Sequence, residues 1–356
     1  MPRRPVKARR NGKATLQTIA DAAGVSMMTV SNALRGKTGD LSPETRERVL
    51  AIAGKLKYRP NLLVHGLRTG LSQNIGVMVG IQNPFGAGLV CGIHDGLAEQ
   101  GWLSTLHWPG APSNGSGAME PQKRELAAVH ALLDRRVDGI ILLPWHESVA
   151  DVYFREVWER GIPMVTIDRP LPKTRADFAG TDDTAGARLA AEHLLALGHR
   201  RFAVLAGPAS IGTYAERTRV FHDTVKAVKA RCRVVVADGR ECDADSACAR
   251  ILASGATAVF LVGGGFAGAF YRSAAARGVV IGKDVSVVTM GSPDLVADLC
   301  PAVTFICQDP VRIGREAARL LLDRIAGKTS RPDPVYVRLT PEFVDRESTG
   351  RAPSPS

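Results

Sequence analysis

The chain has 356 residues, 45% hydrophobic and 23% charged, with a net charge of +11. That length holds two or three domains of about 150 residues each, and that composition buries a large core, which excludes a chain disordered throughout. No apolar run reaches the ~18 residues of a membrane-spanning helix. The basic start, Met1 to Lys13, lacks the apolar stretch of a secretory signal. The six cysteines, at 91, 232, 242, 248, 300 and 307, form no C-x-x-C pair and accompany no His cluster. They read as reduced thiols of a cytoplasmic protein, with no disulfide framework, metal site or cofactor expected.

The charge is concentrated. Residues 1–70 hold 14 Lys/Arg against 4 Asp/Glu, whereas the rest of the chain holds 32 against 31. A basic block followed by a neutral body is the footprint of a polyanion binder. Residues 1–14 read as a basic disordered arm. From Thr15, Leu16, Ile19, Ala20 and Ala23 fall at helical spacing, and Gly24 ends the run. Ser26 caps a second helix over Met27 to Arg35, which turns Val30, Ala33 and Leu34 inward. Met27, Met28, Ser31, Asn32 and Arg35 then share its outer face. Ala20 and Gly24 are expected to let the two helices approach closely. Ser42 and Pro43 open a third helix with a buried face of Val49, Ile52, Ala53 and Leu56. Two short helices joined at a glycine and braced by a third form a helix-turn-helix, whose outer second helix fits a major groove.

Past Thr69-Gly70 the texture changes. Apolar runs at Ile75–Val79, Gly139–Leu143, Met164–Ile167, Phe202–Leu205, Val234–Val236, Ala258–Val262 and Val285–Thr289 alternate with amphipathic stretches such as Lys123–Asp134, Ala185–Leu197 and Val311–Ile325. Short buried strands between helices predict parallel sheets covered on both faces. The length predicts two doubly wound α/β subdomains with a ligand cleft between them, at the strands' carboxyl ends.

Residues 15–68, and above all the run from Leu16 to Leu34 and the element Tyr58-x-Pro60-Asn61, resemble the DNA-binding head of the LacI/GalR family of bacterial transcription regulators. The likeness continues through Asn74-Ile-Gly-Val, Asn83-Pro-Phe85, Val137-Asp-Gly-Ile-Ile-Leu142, Ile167-Asp-Arg169, Gly186-Ala-Arg-Leu-Ala190, Leu197-Gly-His199, Asp284-Val-Ser286 and Pro341-Glu-Phe-Val344, to about residue 350. It implies a helix-turn-helix domain over 15–59, a hinge helix and linker over 60–72, an effector-binding and dimerisation domain over 73–350 and a disordered tail over 351–356. The effector domain is expected to be periplasmic-binding-protein-like, its chain crossing between subdomains three times.

The implied function is a repressor that binds a near-palindromic double-stranded DNA operator as a homodimer under control of a small-molecule effector. No enzyme activity and no membrane partner are expected. Thr15, Leu16, Ser26, Met27, Met28, Thr29, Ser31, Asn32 and Arg35 are the DNA contacts of the head. Asn61, Val64, Leu67 and Arg68 are those of the hinge, with Leu67 as the minor-groove wedge. Gly66 weakens hinge-helix formation by about 1 kcal/mol relative to Ala. Met27 and Met28 favour thymine methyls over hydrogen-bonded readout, and Asn32 suits adenine. The family's tetramers end in a leucine heptad, for which Arg351 to Ser356 is unsuited, so a dimer is expected.

In the cleft the resemblance places Arg217 as the effector-gripping arginine, Gln308 as a second polar contact, and Phe85 or Trp145 as stacking surfaces. Asp168-Arg169 reads as a strand-end turn or subdomain bridge, and Asp182 and Asp183 as helix caps. Gly263-Gly264 and Gly291 stand where the family usually has Asn-Asp and an acid. Without acids beside Arg217, an ordinary hexose is disfavoured; the effector is larger, more apolar or anionic, or absent. Two alternatives remain. Gly263-Gly-Gly265-Phe-Ala-Gly268 fits the G-x-G-x-x-G pattern of an NAD(P) enzyme, although Asp284 precedes a strand rather than ending one. A solute-binding protein explains the body without the basic head.

Overall fold

The computed structural model describes residues 14–34, 41–59, 70–108, 121–144, 150–171, 174–237, 241–328 and 333–353. The chain divides into two compact units, Met1–Ser72 and Gln73–Ser356.

In the first unit, α1 (Leu16–Ala23) begins at Thr15, whose hydroxyl accepts from the Thr18 N–H while the Thr18 hydroxyl accepts from the Thr15 N–H. This reciprocal cap satisfies two N–H groups that have no acceptor within the helix. Ser26 caps α2 (Met27–Leu34) by accepting from Thr29 N–H at 3.0 Å, and Ser42 caps α3 (Pro43–Lys55). Ile19, Val30 and Val49, one from each helix, are 0% exposed and form the centre of the small core.

Two expectations need correction here. A Cβ on Gly24 would meet nothing within 4 Å, so close approach is not its role. Its φ of +68° is, because the left-handed turn that ends α1 favours glycine. Leu56 is 43% exposed rather than buried. It follows the last turn of α3, Lys57 then takes φ 49°, and Tyr58 swings back to donate to the Ala53 carbonyl and pack on the core in its place.

The second unit holds two six-stranded sheets. The first comprises β1 (Asn74–Met78), β2 (Leu103–Leu106), β3 (Gly139–Leu142), β4 (Met164–Ile167), β5 (Asp177–Thr181) and β11 (Tyr336–Leu339), in the order β11-β5-β4-β3-β1-β2, all parallel. The second comprises β6 (Arg201–Ala206), β7 (Arg231–Val236), β8 (Ala258–Leu261), β9 (Ser286–Gly291), β10 (Thr304–Cys307) and β12 (Glu342–Val344), in the order β12-β10-β9-β8-β6-β7, with only β12 antiparallel. Every residue of β3, β4 and β8 is buried, which is why their sequences read as unbroken apolar runs. The chain passes between the sheets three times: after β5, after β10, and between β11 and β12.

The helices of this unit are α4 (Pro84–Ala98), α5 (Pro121–Asp134), α6 (Ala150–Glu159), α7 (Asp183–Ala196), α8 (Gly212–Ala227), α9 (Glu241–Leu252), α10 (Ala267–Ala275) and α11 (Pro310–Ile325). Helix α11 leaves the second sheet and packs on the first, where Ile313, Ala317 and Leu321 join Ile75 and Leu89 in one core cluster. Asn83, Asp182 and Asp309 cap α4, α7 and α11 through side-chain carbonyl or carboxylate oxygens.

Candidate functional site

A parallel strand delivers its carboxyl end and the following helix start to one edge of its sheet. Here those edges of the two sheets bound a cavity of about 280 Å³. From the first sheet it is lined by Met78 and Val79 after β1, Phe85 at the start of α4, Trp108 after β2, Leu143 after β3 and Asp168-Arg169 after β4, with Glu125 from α5. From the second come Thr213, Tyr214 and Arg217 of α8, Gly263 to Gly265 after β8, Met290 and Gly291 of β9, Leu295, and Gln308 at the second crossing.

Phe85, Arg217 and Gln308 therefore meet in one place. Trp145 lies outside the described residues, and Trp108 supplies an aromatic wall that the sequence reading did not single out. Gln308, 4% exposed, donates from Nε2 to the Thr181 hydroxyl at 3.1 Å, which ties the second crossing to the end of β5.

Arg217 is 3% exposed. Its Nε donates to Asp183 Oδ1 at 2.7 Å and its Nη1 to the Val262 carbonyl at 2.8 Å. Two expectations fall with this geometry. Asp182 does cap α7, accepting from Ala185 N–H at 2.9 Å, but Asp183 beside it turns inward as the arginine's counter-ion. Arg217 thus has an acid beside it even though residues 263, 264 and 291 carry none. Burial pushes the Asp183 carboxyl up to about 6 in spite of the guanidinium, while Asp183 in turn raises the Arg217 pKa and keeps it charged.

The glycines shape the wall opposite. The Tyr214 ring packs against Gly207 and lies 3.2 Å from where a Gly263 Cβ would stand, and the Arg217 guanidinium sits 6.0 Å from the ring centroid. A Cβ on Gly264 would stand 2.8 Å from Leu295, and one on Gly291 would stand 3.3 Å from the Gly264 backbone. Backbone and one aromatic ring thus fill the space where the resemblance implies Asn-Asp and an acid. Asp168 adopts φ 61° and, with Arg169 at 3.9 Å, faces the cavity as well as making the turn. Asp284 accepts from Val280 N–H at 2.8 Å, closing the turn before β9, and does not line the cavity.

In the first unit, Met27 and Met28 are 51% and 65% exposed. Thr15 and Ser26 are exposed at the helix starts, and Leu16, Thr29, Ser31 and Asn32 are half-buried. The remaining candidates, Arg35, Asn61, Val64, Leu67 and Arg68, lie outside the described residues.

Residues 15–61 match the lacI family of bacterial regulatory proteins, and residues 191–349 match the periplasmic binding protein-like domain. The chain is 30% identical to the HTH-type transcriptional regulator CelR of Thermobifida fusca, across 95% of this chain and 99% of that protein. It is 28% identical to the transcriptional repressor PurR of Aliivibrio fischeri, across 94% and 98%. Among solved structures, the lac repressor dimer bound to operator and the anti-inducer ONPF superposes with a TM-score of 0.81 at 25% identity, covering 95% of this chain and 99% of that one. The CelR–cellobiose complex superposes with a TM-score of 0.68 at 29% identity, covering 94% and 100%. With helix-turn-helix, two-sheet body and full-length likeness in agreement, the chain belongs to the LacI family of bacterial transcriptional regulators.

Proposed function

We propose that the protein is a repressor that binds a near-palindromic operator as a homodimer and is controlled by a small molecule in the cavity between its two sheets. The observation that carries this is the exposed Met27-Met28 pair at the start of α2. Large apolar side chains held out in water by a capped, braced helix have a use once that helix enters a major groove. The lac repressor relative is a dimer on its operator, and the CelR relative binds cellobiose, which supports the same division of labour here. An effector acts by binding the DNA-competent and incompetent arrangements of the body unequally.

The test is selection of duplexes from a random pool by the full-length protein at ~150 mM salt, where nonspecific phosphate binding is suppressed. The expected result is one near-palindromic consensus of two half-sites. Recovery of no enriched sequence overturns the proposal.

A further inference from the structure

Helix α8 differs from the capped helices around it in what precedes its first turn. Its N-cap is Ile211, which makes no side-chain cap bond. The first N–H groups of a helix have no acceptor within it and carry its positive dipole end. Those of Thr213 and Tyr214 find no acceptor among the described residues, and both residues line the cavity. The Thr213 hydroxyl, on a residue only 3% exposed, likewise makes no hydrogen bond among the described residues.

One turn further along, the two hydrogens on Nη2 of Arg217 are uncommitted, because Asp183 and Val262 take only Nε and Nη1. Across from this helix the Gly264 and Gly265 N–H groups, at the 3-10 turn leading into α10, also lack an acceptor among the described residues. The second-sheet wall is therefore rich in unused donors. The acids that line the cavity, Glu125 and Asp168, come from the first sheet; Asp168 is near enough to act on Arg217 and is offset by Arg169 beside it.

We propose that the effector of this protein carries an anionic oxygen group, a phosphate or a carboxylate. It is held by Arg217 Nη2, the Thr213 hydroxyl and the open N–H groups of α8 and the Gly264-Gly265 turn. Fixed dipoles and a planar guanidinium stabilise such a group without a further positive charge. The remainder of the ligand lies against Phe85 and Trp108. A cavity of about 280 Å³ holds a single ring with one such group. This rests on the reading of the cavity as the effector site. It deepens that reading, because Gly264 and Gly291, where the resemblance implies acids, offer only backbone.

The experiment is calorimetric titration of the full-length protein with glucose, glucose 6-phosphate, glucuronate and inorganic phosphate, followed by operator affinity with each. The same titrations are run on Gly265→Asp and Gly265→Asn. A Cβ at 265 meets nothing within 4 Å, so both variants are expected to fold. The expected result is that glucose 6-phosphate or glucuronate binds at least about tenfold tighter than glucose. That preference is lost in Gly265→Asp and largely kept in Gly265→Asn. Which of the two charged sugars wins distinguishes phosphate from carboxylate. Glucose binding as tightly as both overturns the proposal, as does failure of every charged probe to bind, or binding that Gly265→Asp leaves unchanged. Charge-selective binding at this wall with unaltered operator affinity instead overturns the regulatory role of the cavity and leaves the anion site standing.

Discussion

Arg217 and Asp183 form a pair joined at 2.7 Å, each with a side chain 4% exposed. The carboxylate loses more from burial than the guanidinium returns, so its folded-state pKa, about 6, stands above its ordinary value of 3.8. Between those values the folded protein binds more protons than the unfolded chain, so this group's contribution to stability falls as pH rises from 4 to 6. Thermal unfolding of the wild type and of Asp183→Asn across that range checks this: the wild type should lose stability relative to the variant as pH rises. Asp183→Ala at pH 7.5, which strands a buried guanidinium, should cost about 3–5 kcal/mol.

A second buried group has the opposite sign. His199, 1% exposed, faces the Thr257 hydroxyl from Nδ1 at 2.9 Å, and the Ser286 hydroxyl and Gly350 carbonyl from Nε2 at 3.0 and 3.1 Å. The ring thereby ties Gly350 to Ser286 at the start of β9. Desolvation lowers its pKa below 6.5, so its contribution is present above that value and is lost as pH falls through the folded pKa. Replacing it by Ala removes one of several bonds from the Thr257 and Ser286 hydroxyls and the Gly350 carbonyl, which keep bonds to the Arg201 carbonyl and to each other, and should cost about 1–3 kcal/mol at pH 7.5. Chemical denaturation of His199→Ala measures this. Its stability should also fall less than that of the wild type between pH 7 and 5.

What the sequence disclosed follows from apolar density rather than burial alone: β5, fully buried but Asp-Phe-Ala-Gly-Thr in sequence, did not read as a strand, whereas the mostly exposed Val234–Val236 did. Met164–Ile167 is a strand both as an apolar run and in the fold, because both its faces are covered. Strand β2 was not legible, since Leu103 and Leu106 point outward from a sheet edge and only polar residues lie between them. Strand β11 was not legible either: its four residues alternate exposed and half-buried, with Tyr336 and Arg338 outward, and lack the apolar density of a core strand. In the cavity, Arg217 came from the family resemblance. Thr213, Tyr214 and Asp183 did not, because nothing in their local spacing says that the end of β5 and the start of α8 meet. The helix cap at Asp182 was legible; that its neighbour turns the other way depends on Arg217, 34 positions on.

The contact between α4 and α11 depends on two glycines that local propensity disfavours. A Cβ on Gly92 would run into the Val311 carbonyl, and one on Gly314 would meet the Leu89 carbonyl and stand 2.7 Å from the Ile93 nitrogen. The obstructions are backbone, so neither helix can yield by changing a rotamer. Gly314→Ala, which raises intrinsic helix propensity, is nevertheless expected to destabilise by about 1–3 kcal/mol through overpacking. Equilibrium unfolding in urea checks the sign: a gain in stability would mean that the helices are free to separate.

In the head, DNA reading and folding rest on different residues. Met28 is 65% exposed on α2, while the core of the head is held by Ile19, Val30 and Val49. Met28→Ala should therefore change the melting of the head by no more than about 0.5 kcal/mol. Bound DNA is a different matter. An apolar side chain at the start of a recognition helix discriminates by contact with thymine methyls, so its loss should weaken selection at one base pair in each half-site by about 1 kcal/mol. Lys and Arg contacts to phosphate are untouched by the change, so the slope of affinity against salt should stay the same. Affinities for the selected operator and its single-base variants at two salt concentrations decide it. A changed slope would mean that Met28→Ala moves the whole head on the DNA, whereas equal loss at every base would remove Met28 from the residues that read sequence.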